Sequence, residues 1–211
     1  MTIDSLPNDY MSPTTESVAF FSENANSFAQ WLIRGFEQEG SSWVRSDIVA
    51  REPDAILGSL SPRADVGVNR YLLLSLAGWT AVLNDAKLGT DMGMIPSIAV
   101  RQLRCRAIRA TAIEERNDKF GTTVLEVFEP EADPPLRCRR TISAANDGGI
   151  WRFSEFGEPF PFEETSTYRH RKIQERFTPD LLHRYLKELS ISLFVTKSLA
   201  GYSPMLVTRR S

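Results

Sequence analysis

Apolar positions along this chain change period several times, and each change predicts an element. Phe28, Trp31, Leu32 and Phe36 recur at helical spacing, which predicts a helix over residues 24–39. Ser22 or Asn24 would cap it, and Gly40 follows as a stop. Residues 41–67 are punctuated by Pro53, Gly58, Pro62 and Gly67. They read as irregular, with room for a short helix at 46–50 or 53–60.

The stretch "RYLLLSLAGWTAVLND" then reads as two strands, 70–76 and 79–84, turning at Ala77-Gly78. The first is nearly all apolar, as a strand covered on both faces would be. "MIPSIAVRQL", 94–103, predicts a helix, with Pro96 tolerated in its first turn. Two hairpins follow, 105–115 with 122–130 and 136–145 with 149–156. The second turns on Asn146-Asp147-Gly148-Gly149, residues that accept positive φ cheaply. Thr178-Pro179-Asp180 is a helix start: a cap, a proline with its missing N–H harmless, and an acid for the dipole. Leu181, Leu182, Tyr185, Leu186 and Leu189 would be its buried face. The closing stretch, "ISLFVTKSLAGYSPMLV", mixes strand and turn character.

Hairpins adjacent in sequence make an antiparallel sheet. The expected fold class is therefore α+β: a single domain with an antiparallel β-sheet of about five or six strands and flanking helices on one face. Residues 1–16, rich in Ser, Thr, Pro and Asp, read as a flexible leader, and 17–211 as the domain.

Charge narrows the partners. The net charge of −2 gives no global field to draw nucleic acid. No apolar run reaches membrane-spanning length, and the acidic N-terminus lacks the features of a secretory signal. Cys105 and Cys138 are the only cysteines, so the expectation is free thiols in a reducing cytoplasm. Residues 1–40 hold six acids against one base, Arg34.

Catalytic patterns are mostly unmet. Neither His170 nor His183 neighbours a nucleophile in an elbow motif, and no metal-ligand, Walker or dinucleotide spacing occurs. No metal or cofactor is expected. Glu155, Glu158, Glu163 and Glu164 cluster beside Phe160 and Phe162 after the aromatic strand. Two carboxylates in an aromatic groove would suit acid–base chemistry; on a proline-rich corner they suit a solvated rim for a protein partner. A tetrapeptide, Leu-Arg-Cys-Arg, occurs at 103–106 and again at 136–139. In two neighbouring strands it would put Arg104, Arg106, Arg137 and Arg139 on one solvent face.

"GWTAVLND", "LRCRAIRATA", "DGGIWRF", "GEPFPFEE" and "ERFTPDLLHRYLKEL" together resemble small bacterial proteins of the toxin-immunity type, over about residues 70–190. That resemblance implies a cytosolic α+β binding protein that neutralises a cognate toxin, with no catalytic residue. The candidate contacts are Glu155, Glu158, Phe160, Phe162, Glu163 and Glu164. The alternatives are an assembly subunit of a phage or secretion system, with a homo-oligomer possible, and an enzyme using carboxylates near residues 146–164.

Overall fold

The computed structural model describes residues 12–116, 119–191 and 203–210. Its strands are β1 Ser17–Phe21, β2 Trp43–Asp47, β3 Arg70–Leu76, β4 Trp79–Asn84, β5 Ala107–Ile113, β6 Thr122–Phe128, β7 Cys138–Asp147, β8 Ile150–Phe156 and β9 Pro204–Arg209. They form one sheet in the order β2-β9-β3-β4-β1-β5-β6-β7-β8. Every neighbouring pair is antiparallel.

The expected five or six strands are therefore too few: among the described residues the sheet has nine. The expected hairpins are all present, and β3 and β4 keep their expected limits. The additional strands are β1, β2 and β9. None pairs with its neighbour in sequence: β1 lies between β4 and β5, and β9 between β2 and β3. A search for adjacent hairpins cannot find strands whose partners are remote. Residues 46–50 are not helical, since β2 runs through Asp47; the short helix is α2, Pro53–Gly58.

Helices α1 (Ala25–Gln38) and α3 (Ile95–Leu103) cover one face of the sheet, while α2 and α4 (Pro179–Glu188) cover the other. Helices on both faces correct the expectation of one. The side-chain period of two explains it. Val18 and Phe20 of β1, with Leu72 and Leu74 of β3, join the α2/α4 core. Ala19, Phe21, Tyr71 and Leu73 join the α1/α3 core. A strand in the middle of a three-layer arrangement has no polar face to show.

Caps act where expected. Asn24 Oδ1 accepts from Ser27 N–H at 2.9 Å, and Thr178 Oγ1 accepts from Leu181 N–H at 3.3 Å. Of the leader expected over 1–16, residues 1–11 lie outside the described residues. Thr14, Thr15 and Glu16 are buried. Thr90 Oγ1 donates to the Thr14 carbonyl at 2.9 Å, and Lys119 Nζ reaches Glu16 at 2.6 Å. Of the unplaced closing stretch, 192–202 also lies outside the described residues, and β9 begins at Pro204.

Candidate functional site

At one end of the sheet, β7 and β8 form the last hairpin. Gly148 and Gly149 hold φ of 62° and 92° in its two-residue turn, the geometry whose twist suits antiparallel strands. Asn146 Oδ1 accepts from Gly149 N–H at 2.7 Å and fixes the turn. After β8 the chain passes Gly157, at φ 79°. A Cβ there would stand 2.1 Å from the Arg139 carbonyl oxygen, so only glycine fits. The chain then bends over Pro159 and Pro161 and returns across the α4 side of the sheet.

That return is held by Arg140, whose side chain is fully enclosed. A register shift between β6 and β7 pairs Val127 with Arg140 and Phe128 with Cys138, leaving Arg139 as the extra residue of a β-bulge. Arg140 Nη2 donates to Glu163 Oε2 at 2.6 Å and to Glu155 Oε2 at 2.7 Å. Nε donates to Glu163 Oε1 at 3.0 Å, and Nη1 to the Gly157 carbonyl at 2.6 Å. Burial works against the guanidinium charge, but the hydrogen bonds to Glu163 and Glu155 outweigh it and raise the pKa. Glu163 accepts further from Phe160 N–H and Tyr168 O–H, each at 2.9 Å. Burial, then the bond to the Tyr185 hydroxyl, pushes the Tyr168 phenol well above its ordinary range.

The expected contact residues divide accordingly. Glu155, its side chain 44% exposed, and Glu163, at 0%, share one guanidinium. Glu163 thus leaves the expected rim. Glu164 pairs with Arg184 and raises that guanidinium's pKa by hydrogen bonding. Glu158 is exposed, and its carbonyl accepts from Arg139 Nη1 at 2.9 Å. Phe160 and Phe162 stack with centroids 5.2 Å apart, Arg139 lies over Phe160, and Phe162 packs on Tyr185. Most of the motif is a buttress. Glu163 is poorly placed for acid–base chemistry, because both its oxygens already accept from Arg140, Phe160 and Tyr168.

The four arginines of the repeated tetrapeptide do not form one strand face. Arg104 and Arg137 precede their strands in left-handed turns, at φ 56° and 59°. Arg106 pairs with Glu129 at 2.6 Å, and Arg104 with Glu131 at 3.6 Å. These two pairs line a groove of about 530 Å³ beside Ser22 and Trp79.

Sequence reasoning missed a different surface. Burial falls across the sheet: β4 is buried at every position, while β5, β6 and β7 alternate. On the α1/α3 side of those strands small hydroxyl residues are mixed with charged and apolar ones. One row runs Ser17, Thr111, Val124, Ser143, Ser154, and the next Ala19, Arg109, Glu126, Thr141, Phe156. Ser17 Oγ lies 3.0 Å from Thr111 Oγ1, and Arg109 pairs with Glu126 and with Asp91. Among the described residues, α3 touches β5 and β6 but no helix packs over this side of β7 and β8. At its border Phe128, Pro134, Pro135, Leu136, Cys138 and Phe156 line an apolar groove of about 360 Å³. Leu136 is 48% and Phe156 60% exposed. The signal in the sequence was confined to β5 and β7, as Ala110-Thr111-Ala112 and Thr141-Ile142-Ser143-Ala144.

No family model, curated protein or solved structure matches this chain. Among the described residues, no helix is long and apolar enough to cross a membrane.

Proposed function

We propose that this chain is a non-enzymatic protein-binding protein of the cytoplasm that holds its partner on the open face of β5–β8. The observation that carries the reading is the row of half-buried Ser17, Thr111, Val124 and Ser143, continued by exposed Ser154 and bordered by exposed Phe156 and Leu136. Such a face carries no helix over β7 and β8 among the described residues and is bordered by apolar anchors. It suits a protein surface better than a small substrate, which needs a concave and enclosing site. In the toxin-immunity reading the partner is a toxin, neutralised by being covered. Two free thiols accord with a reducing compartment.

The test is affinity capture from the source cells, with wild type beside Ser143→Arg, which places a long cation at the centre of the face. A stoichiometric partner lost from the variant, and toxic when expressed alone, supports the reading. A partner retained undiminished by Ser143→Arg removes the face from it. Capture of nothing by the wild type removes the binding function.

A further inference from the structure

We propose that β8 is a dimerisation edge, pairing antiparallel with β8 of a second copy so that one sheet runs through both. β8 ends the strand order, with β7 as its only strand partner among the described residues. The direction of its backbone groups follows from the turn. In a two-residue hairpin the flanking residues, Asp147 and Ile150, exchange hydrogen bonds, and the pattern alternates from there. Asn146 confirms the phase, because its N–H turns the other way to the Gly121 carbonyl at 2.8 Å. The N–H and C=O groups of Trp151, Phe153 and Glu155 therefore point outward. No described residue bonds to them.

The opposite edge is protected differently. β2 has five residues, and its outer half carries the exposed charges Arg45 and Asp47. Short charged edges resist pairing. β8 has seven residues and charges only at Arg152 and Glu155, which are engaged by Asp147 and Arg140. Its two ends, Ile150 and Phe156, are exposed at 62% and 60%. These two lie on the same face, six residues apart, so a two-fold axis can superpose one on the other.

Only registers that set outward groups against outward groups are allowed. Centring the axis on Phe153 sets Ile150 against Phe156 of the second copy, and Phe156 against Ile150. Those are non-hydrogen-bonded pairs, in which side chains approach most closely. It also sets Trp151 against Glu155, Arg152 against Ser154 and Phe153 against itself. Sliding one way places Arg152 opposite Arg152, and like charges directly opposed are unfavourable. Sliding the other way places Ile150 opposite Glu158 and forfeits the apolar pair. The occupant is therefore a second copy, because the strand complements itself in one register. An isologous contact of this kind also sets the two open faces side by side.

The inference does not rest on the proposed partner: Phe156 borders both surfaces, but the test reads the mass of the chain alone, with no partner present. The test is sedimentation equilibrium of the full chain over a wide concentration range, with three proteins. Wild type should pass from one chain mass to two. Ile150→Lys with Phe156→Lys should raise the dimer Kd about tenfold or more, by opposing like charges. Ile150→Lys with Phe156→Glu should restore dimerisation, in a form weakened by salt, because the register sets each lysine against a glutamate. Both replaced side chains are surface-exposed, so circular dichroism should match wild type in both variants. A wild type monomeric at every concentration overturns the proposal. So does a dimer indifferent to both variants, or one that the charge-swapped pair fails to restore.

Discussion

Arg140 and Glu163 meet at 2.6 Å with both side chains wholly enclosed. They tie the bulge of β7 to the chain returning from β8, thus joining sheet and cover. The energetic consequence is asymmetric. A buried pair contributes little net stability over an apolar pair, but one orphaned charge is costly. Arg140→Met should therefore destabilise the fold by about 3–5 kcal/mol. The double variant Arg140→Met with Glu163→Leu should lose much less than the sum of the two single changes. Urea unfolding of the four proteins measures this; additive losses would show that the two side chains act independently.

Gly157 and Gly78 share positive φ, 79° and 78°, but differ in surroundings. A Cβ on Gly78 meets nothing within 4 Å, whereas one on Gly157 meets the Arg139 carbonyl. Gly78→Ala should cost about 1 kcal/mol, from backbone conformation alone. Gly157→Ala should cost more than about 2 kcal/mol, because a carbonyl in the bulge must move as well. Equal losses in thermal melts would mean that the bulge yields freely.

The two thiols should react very differently. Burial, helped by Glu23, pushes the Cys105 thiol up to about 11. Near neutral pH it carries about a hundredfold fewer thiolates than an ordinary cysteine. Cys138 is half-buried, 3.2 Å from Thr141 Oγ1 on the open-face side of the sheet. A chromogenic disulfide reagent at mildly alkaline pH should titrate one thiol quickly in the native protein and both in denaturant. Alkylation followed by peptide mapping should place the fast site at Cys138; fast labelling of Cys105 would contradict its burial.

Alkali should unfold the protein earlier than its acidic groups suggest. Cys105, Tyr71 and Tyr168 all bind their protons more tightly folded than unfolded, chiefly because burial penalises the charged form. A raised native pKa gives stability that is whole below the unfolded pKa and is lost as pH climbs above it. The loss should begin near pH 9, the ordinary thiol value, and steepen past 10, the ordinary phenol value. Melting temperature against pH tests this, and Tyr168→Phe should flatten the upper part of the curve. A melting temperature unchanged to the alkaline limit would contradict the burial of these groups.

Much of the local architecture was legible because its causes are local. Asn24 and Thr178 mark helix starts through atoms three residues away, and Pro179, Gly78 and Gly148 act through their own φ. The Glu155–Glu164 motif was legible as aromatic and acidic, but not as a buttress. Its meaning depends on Arg140, which pattern alone made one more strand residue. Glu163 looks identical in sequence to Glu164, yet one is enclosed and the other pairs at the surface with Arg184.

By itself, the sequence determined the hairpins and the capped helices, since neighbours along the chain set these through backbone geometry and side-chain period. Only the tertiary structure decided that β1 enters between β4 and β5, that β9 joins β2 to β3, and that helices cover both faces. Strand pairing between remote segments is chosen by the total apolar area that all layers bury together, and no single segment carries that sum. The same long-range packing enclosed Arg140 and, among the described residues, left one side of β7 and β8 without a helix and the outer edge of β8 without a strand.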